Sequence, residues 1–223
     1  MTGEAETRDR VLAAAEQLFA EHGFRKVTVR EICRVAGANV ASVNYHFRDK
    51  FGLYREVLHS AIVVMRATTE AARKAGQGRP AEEQLRQFIS IYLHRLLTPG
   101  HESIQRLIHW ELHDPSPALD EIVDQAIRPR IEYLADVVAR MIERDPGDEA
   151  VLRTVASIQS QSNSYLPSPL LPHGQIARRL GFQFEPTPAN IDAVARHITT
   201  FSIAGAYAVG RAGRTRGRRR RKG

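Results

Sequence analysis

The chain has 223 residues, 43% of them hydrophobic, which is enough to bury a sizeable core. Its single cysteine cannot form an internal disulfide, and no window approaches the roughly 18 consecutive apolar residues that a membrane-spanning helix needs. Composition therefore disfavours a disulfide-rich secreted domain and a membrane protein, and we expect a cytoplasmic protein; the formal charge of +7 directs attention to nucleic acids.

The positive charge is concentrated at the C-terminus. Residues 211–223 contain seven Arg, one Lys and no acidic residue, which leaves 24 basic side chains against 25 acidic ones in the rest of the chain. Because screened charges act over only about 8 to 10 Å, the position of the charge matters more than its sum. Within the body, residues 25–50 hold six Arg or Lys side chains and two acidic ones. This segment is the first candidate for a nucleic-acid surface.

The N-terminal sequence pattern predicts two helices separated by a short connector. Apolar residues recur every three or four positions over Thr7–His22, the period of a helix with one buried face, and Gly23 is predicted to end it. Thr28 and Glu31 have the spacing of a capping box at the start of a second helix. Gly37 is expected to break that helix and open a turn.

A third helix is predicted over residues 40–47, with Asn39 as its cap, and the last two helices form a helix-turn-helix. At about 100° per residue, Val43 and Phe47 fall on one side, which we expect to pack inward. The small or amide-bearing residues on another side suit the DNA major groove: Val40, Ala41 and Asn44. The side chains nearby that can donate hydrogen bonds or charge to phosphates are Thr28, Tyr45, His46, Arg48 and Lys50.

The segments 28–37, 38–47, 48–50 and 52–54 resemble the DNA-binding region of TetR/AcrR-family repressors. The resemblance extends over roughly residues 7–58 and implies that residues 40–47 are the recognition helix. It implies base-facing positions for Asn39, Val40, Ala41 and Asn44, and phosphate contacts for Thr28, Tyr45, His46 and Lys50. The run 39–47 and the stretch 110–119 are also similar to the CecR-like branch of that family.

Beyond residue 50 the pattern stays helical. Helices are predicted over 50–74, 82–97, 104–112, 118–144, 149–165 and 189–210, with Pro129 kinking or dividing the fourth of these. The sequence thus predicts an all-α protein with an N-terminal three-helix helix-turn-helix domain, followed by a helical bundle that is TetR-like by the resemblance. We divide it into a DNA-binding domain 1–50, a ligand-sensing and dimerisation domain 51–210, and a disordered Arg-rich tail 211–223.

The last predicted helix carries an apolar face wide enough to require a partner. Together with the helix over 149–165, we assign it to a homodimer interface built as a four-helix bundle; the alternative is the core of the monomer. The interface candidates are Ile191, Val194, Ile198, Phe201 and Gly205. A two-fold dimer places two recognition helices about 34 Å apart, which fits successive major grooves of palindromic DNA.

An unidentified small-molecule effector is expected from the resemblance, bound in a mostly apolar pocket with a few polar groups. The candidate pocket residues are Arg106, His109, Trp110, Tyr133, Gln159, Asn163 and Tyr165. For each of them, ordinary packing or surface exposure is the alternative.

Two histidines four residues apart, His109 and His113, have a spacing that can bind a transition metal. With Glu111 they raise a metal-dependent hydrolase as a remote alternative. No third ligand is evident nearby apart from His101, and no Gly-rich phosphate loop or nucleophile elbow is present, so we predict no metal, no cofactor and no catalytic residue.

The function predicted from the sequence is a transcriptional regulator. Its favoured form is a ligand-released repressor that binds a palindromic operator as a dimer. An activator and a ligand-independent DNA-binding factor remain open alternatives.

Overall fold

The computed structural model describes the backbone of residues 2–98, 100–165, 179–181 and 184–220, and the side chains of these residues except 2–3 and 213–220. Within those ranges the regular elements are helices, which confirms the all-α prediction. They are α1 (Thr2–Lys26), α2 (Val29–Ala36), α3 (Val40–Phe47), α4 (Lys50–Gly76), α5 (Ala81–Leu97), α6 (Glu102–His113), α7 (Leu119–Ile122), α8 (Arg128–Ile142), α9 (Glu149–Asn163) and α10 (Pro188–Arg220). A π-helical turn, Val123–Ile127, joins α7 to α8.

Packing divides the chain into two compact units. The first consists of Met1–Met65 and Pro99–Ile127, and therefore contains α1 to α3, the first part of α4, α6 and α7. The second consists of Arg66–Thr98 and Arg128–Gly223, and contains the rest of α4 with α5 and α8 to α10. These units describe packing, and the functional division of the chain at residue 50 stays a prediction.

The ends of α2 and the start of α3 are fixed by the predicted local interactions. The Thr28 hydroxyl accepts a hydrogen bond from the Glu31 backbone N–H at 3.2 Å, and the Asn39 Oδ1 accepts one from the Ser42 N–H at 2.8 Å. Gly37 ends α2 in the left-handed conformation, with φ of 59°. Each contact satisfies a backbone donor that a helix start would leave unpaired, so the two short helices begin at defined residues.

Gly23 interrupts α1, as predicted, with φ of 78° and ψ of 167°. A Cβ atom at this position would lie 3.0 Å from Cδ2 of the Trp110 ring. Glycine is therefore required at position 23 for two reasons: its backbone conformation is one that other residues rarely adopt, and α6 packs directly against it.

The core of the first unit is aromatic. The rings of Phe19 and Tyr54 meet edge to face with centroids 4.8 Å apart, and the Phe24 ring lies 4.7 Å from Tyr54. Val43 and Phe47 of α3 are 0% and 4% exposed, which confirms that this side of α3 packs inward. The inward side of α3 is thus anchored on the same core that holds α1 and α4.

The second unit has its own apolar core, shared by α5, α8, α9 and α10. Its fully buried members include Leu85, Ile89, Leu134, Val138, Val151, Ile158, Ile191 and Ile198. Pro129 lies at the second position of α8, in the first turn of the helix, where proline is tolerated better than in the interior. The π-helical turn immediately before α8 is the division that Pro129 predicted.

The last helix is longer than the sequence predicts. The tail was expected to be disordered from Arg211, whereas the backbone continues as α10 to Arg220. Extending an existing helix adds one hydrogen bond for each residue fixed, and Arg is a good helix former. In the described part of the chain, no helix combines the length and the hydropathy needed to cross a bilayer.

Gly52 provides a test of the junction between α3 and α4. A Cβ on Gly52 would overlap the backbone carbonyl oxygen of Phe47, so Gly52→Ala must shift the backbone. We expect a loss of about 1–3 kcal/mol in the free energy of unfolding, with the melting temperature falling by about 2–4 °C for each kcal/mol. Thermal denaturation followed by circular dichroism measures this.

The matched control is Gly37→Asn. Gly37 has a positive φ, which Asn tolerates, and no heavy atom lies within 4 Å of its added Cβ. We expect this variant to lose much less stability than Gly52→Ala. Equal melting temperatures for Gly52→Ala and the parent protein would contradict the close approach.

Candidate nucleic-acid interface

One side of α3 is exposed along its whole length. Val40 is 42% exposed and Tyr45 is 74% exposed, whereas Val43 between them is completely buried. The four predicted base-facing residues are all exposed here: Asn39, Val40, Ala41 and Asn44. The structure therefore brings them together on one surface, and their contact with bases stays a prediction.

Asn39 uses only part of its amide to cap α3. Its Oδ1 accepts from both the backbone N–H and the hydroxyl of Ser42, at 2.8 and 3.0 Å. The Nδ2 group is left over as a donor at the exposed end of the helix. Capping and base contact therefore use different atoms of the same side chain.

Three of the six cations between residues 25 and 50 have partners inside the chain. Arg25 pairs with Asp114 at 2.8 Å, and Lys26 lies 5.7 Å from the centre of the Trp110 ring. Lys50 donates to the Arg25 carbonyl oxygen at 3.4 Å, and burial lowers the pKa of Lys50. These contacts hold the cations at defined positions beside α3.

The other three cations are exposed and make no ion pair with any described residue: Arg30, Arg34 and Arg48. Arg48 also ends α3, with φ of 72°, and its N–H donates to the Asn44 carbonyl oxygen. Of the other predicted phosphate contacts, Thr28 is exposed, and His46 is half-buried with its ring 4.9 Å from that of Tyr45. These three arginines lie on α2 and at the end of α3, so the helix-turn-helix carries positive charge that no described carboxylate pairs with.

α6 is tied to α1 and α4 by buried polar contacts. The Trp110 indole N–H donates to the Ala20 carbonyl oxygen at 3.1 Å. The Tyr54 hydroxyl donates to Glu111 Oε1 at 2.6 Å, and the other carboxylate oxygen accepts from the Ser116 N–H. Glu111 is 1% exposed, and burial raises the pKa of Tyr54. The sequence did not predict this role for Glu111.

The three residues of the hydrolase alternative do not lie together on one side of α6. The rings of His109 and His113 stack with centroids 3.9 Å apart, and burial together with His113 lowers the pKa of His109. Glu111 lies two residues from each of them and so faces the other side of α6, where both of its oxygens already accept hydrogen bonds. In the described residues, no group of three or more His, Cys, Asp or Glu is placed to hold a metal ion.

The seven predicted pocket residues fall in different units. Arg106, His109 and Trp110 belong to the first unit, where the Trp110 ring packs on Gly23. The other four belong to the second unit: Tyr133, Gln159, Asn163 and Tyr165. Tyr133 and Gln159 are buried, Asn163 is exposed, and Tyr165 contacts the ring of Phe184. The ligand-binding role of each residue stays a prediction.

Two polar residues of the second unit, Tyr92 and Arg130, were not predicted from the sequence. The Tyr92 hydroxyl donates to Asn163 Oδ1 at 2.9 Å, and the Arg130 guanidinium lies over the Tyr92 ring at 5.3 Å. One signal was available for Arg130, because no acidic residue stands three or four positions from it in the sequence. No comparable signal marks Tyr92, whose spacing is that of a core residue.

The predicted interface residues of α10 point in two directions. Ile191 and Ile198 are each 1% exposed and lie in the core of the second unit. Phe201 is 61% exposed, while Val194 and Gly205 are half-buried. A partner can therefore contact Phe201 and its exposed neighbours, whereas Ile191 and Ile198 already pack inside the chain.

Comparison with known proteins adds independent information. A model described as "Bacterial regulatory proteins, tetR family" matches residues 11–57, and a model of the C-terminal domain of the HTH-type transcriptional dual regulator CecR matches residues 81–206. The chain is 30% identical over 120 residues to YttP of Bacillus subtilis, named a probable HTH-type transcriptional regulator. That match covers 52% of this chain and 56% of YttP, little more than half of the relative's length.

Two further proteins agree. CecR of Shigella flexneri, named an HTH-type transcriptional dual regulator, is 27% identical over 163 residues, covering 69% of this chain and 73% of CecR. The solved structure of the ketosteroid transcriptional regulator KstR2 of Mycobacterium tuberculosis has a TM-score of 0.62 at 20% identity, covering 89% and 93% of the two chains. At that identity the likeness concerns the fold. The resemblance found in the sequence is confirmed: the chain belongs to the TetR family of bacterial regulatory proteins and has a C-terminal domain of the CecR type.

Proposed function

We propose that this protein is a dimeric transcriptional repressor that binds a palindromic operator through α3 and leaves it when a small-molecule effector binds the helical body. The observation that carries the proposal is the exposed side of α3, in a helix-turn-helix whose Arg30, Arg34 and Arg48 are exposed and form no ion pair with any described residue. Small side chains allow the helix backbone to approach base edges, and arginines can neutralise phosphates.

Within this surface, Asn44 is the strongest candidate for reading a base. Its side chain is exposed on the outer side of α3, one turn after Val40. An amide can both donate to and accept from adenine in the major groove, which neither Val40 nor Ala41 can do. Those two residues are suited to apolar contact, such as with a thymine methyl group.

The dimer is proposed to form through the outer sides of α9 and α10. Large apolar side chains are exposed there: Leu152 at 45%, Phe201 at 61% and Val209 at 41%. Small exposed residues, Ala156 on α9 and Ala204 on α10, allow close approach of a second pair of helices. Two-fold repetition of this surface gives a four-helix bundle and two recognition helices, as a palindrome requires.

Release by an effector requires two states with different affinities for the ligand. α4 contains residues of both units, since only two residues separate it from α3 and it continues to Gly76. We propose that effector binding favours a state in which α4 tilts and the operator spacing is lost. A coupling of about 1–3 kcal/mol changes DNA affinity roughly 5- to 150-fold.

Activation of transcription is the second candidate function. The observation in its favour is the match to the C-terminal domain of CecR, whose name describes a dual regulator. The position of a footprint distinguishes the two. Protection that overlaps a promoter supports repression, and protection upstream of it supports activation.

One prediction concerns base reading by Asn44. Because a bidentate amide–base pair contributes about 1–3 kcal/mol of discrimination, Asn44→Ala should weaken operator binding roughly 5- to 150-fold and leave binding to a scrambled duplex unchanged. The operator is obtained by selection from random duplexes, and affinity is measured by fluorescence anisotropy at fixed salt.

Arg30→Ala is the control for this prediction. It removes an exposed cation without an internal partner and should weaken operator and scrambled duplex equally. It should also reduce the slope of log affinity against log salt by about one. Equal weakening of both duplexes by Asn44→Ala would contradict base reading at this position.

Another prediction concerns the proposed dimer interface on α9 and α10. Phe201→Glu places charge in the centre of the proposed interface twice per dimer, and central anchors contribute about 2 kcal/mol or more each. We expect a monomer at concentrations at which the parent protein is a dimer, measured by sedimentation. Val63→Glu is the control, since Val63 is an exposed apolar residue of α4, 48% accessible and outside this surface. A monomeric parent, or a dimeric Phe201→Glu variant, contradicts the interface.

A further inference from the structure

The second unit buries polar atoms that no described residue satisfies. Gln159 is 9% exposed, and neither its Nε2 nor its Oε1 has a hydrogen-bond partner. Tyr133 is 7% exposed, and its hydroxyl also lacks a partner. A buried polar group left unpaired costs about 1–3 kcal/mol, so such groups are rare in native cores unless a bound molecule completes them.

Arg130 is a cation without an anion. Its Nε is buried without a hydrogen-bond partner, the residue is half-buried, and no described carboxylate forms an ion pair with it. Other arginines of the same unit pair with an acid four residues away, as Arg144 does with Asp148 at 2.9 Å and Arg153 with Glu149 at 2.6 Å. The buried, unpaired Nε and the lack of a described carboxylate partner leave the Arg130 guanidinium able to bind an anion from outside the chain.

An aromatic group connects these residues. The Arg130 guanidinium lies over Tyr92, whose ring stacks on Phe88 with centroids 5.5 Å apart, and Phe88 lies 6.1 Å from the ring of Tyr133. The Tyr92 hydroxyl donates to Asn163, which stands one helical turn after Gln159 on α9. Unsatisfied polar atoms and aromatic surface thus occur in one part of the second unit.

We propose that Arg130 and Gln159, together with the rings of Phe88, Tyr92 and Tyr133, bind an organic carboxylate with an apolar body. A planar carboxylate matches the guanidinium of Arg130, while the Gln159 amide supplies a neutral hydrogen bond. The rings contact the apolar body. That this carboxylate is the effector rests on the proposed function.

A single negative charge fits the site best. The other guanidinium beside these rings, that of Arg73 over Tyr133 at 5.2 Å, is already 3.7 Å from the Glu70 carboxylate. Arg140 likewise lies 3.6 Å from Asp136. Among the described residues beside these rings, one uncompensated cation is therefore left, which matches a monoanion such as a carboxylate and leaves a phosphate dianion with excess charge.

The test is calorimetric titration of the full-length protein, without DNA, with benzoate, 2-naphthoate and decanoate, each beside its neutral amide. We expect at least one carboxylate to bind at least tenfold more tightly than its amide. Arg130→Met should weaken that binding at least tenfold. Arg153→Met, which removes an exposed cation of α9 that pairs with Glu149, should not weaken it. The site is overturned if no carboxylate binds more tightly than its amide, or if both variants bind equally well.

Gln159→Leu gives a second readout that does not depend on the choice of carboxylate. If the amide has no partner inside the chain, replacing it with an apolar side chain of similar size should raise the melting temperature of the ligand-free protein and weaken carboxylate binding. A lower melting temperature would show that the amide is already paired, and would overturn the site.

Operator affinity of the ligand-free protein, measured in parallel, separates the two proposals. Operator binding without carboxylate binding overturns the carboxylate site and leaves the DNA-binding proposal standing. Carboxylate binding without binding to any duplex overturns the proposed function and leaves the site standing. Carboxylate binding that leaves operator affinity unchanged overturns the role of this ligand as effector.

Discussion

The buried carboxylate of Glu111 is the interaction on which the DNA-reading unit depends. A carboxylate that is 1% exposed is tolerated only if its oxygens are satisfied, and here one accepts from the Tyr54 hydroxyl of α4 and the other from the Ser116 backbone. Loss of either partner leaves a buried charge underpaired, so α4, α6 and the segment after it are held together. The Trp110 indole adds a fixed distance between α6 and α1. α4, the helix that follows α3, is therefore positioned by buried hydrogen bonds as well as by an apolar core.

The buried polar groups discussed above for the two units differ in whether the described residues satisfy them. In the first unit the buried carboxylate and the indole N–H are satisfied within the chain. In the second unit the amide of Gln159, the hydroxyl of Tyr133 and the Nε of Arg130 are not. A unit that must present the same surface to each operator benefits from internal satisfaction, which fixes one arrangement. A unit that responds to a small molecule must instead keep donors and acceptors available for it.

A regulator of the proposed kind needs two conformations, one that binds DNA and one that does not, whose free energies differ only slightly. Unsatisfied polar atoms raise the free energy of the ligand-free core, and a ligand that completes them is bound with differential affinity. In the proposed scheme, the same atoms that lower the stability of the second unit are the source of its response to a ligand. This is why the proposed carboxylate site and the proposed release of DNA belong to one physical scheme, although each can fail separately.

The sequence by itself determined the interactions that act over a few residues. Thr28, Gly37 and Asn39 were assigned to helix ends because their hydrogen bonds reach only three or four positions, and Val43 and Phe47 were assigned to the core because helix periodicity is local. The tertiary structure alone decided the pairing of Tyr54 with Glu111, 57 positions apart, and of Trp110 with Ala20, 90 positions apart. It also decided that Ile191 faces inward while Phe201 faces outward, since an apolar residue on a helix suits a core and an interface equally well. Local periodicity and helix caps predict that a side chain will be buried or that a donor will be satisfied. The identity of the partner depends on which helices pack together, and that is decided only when the whole chain folds.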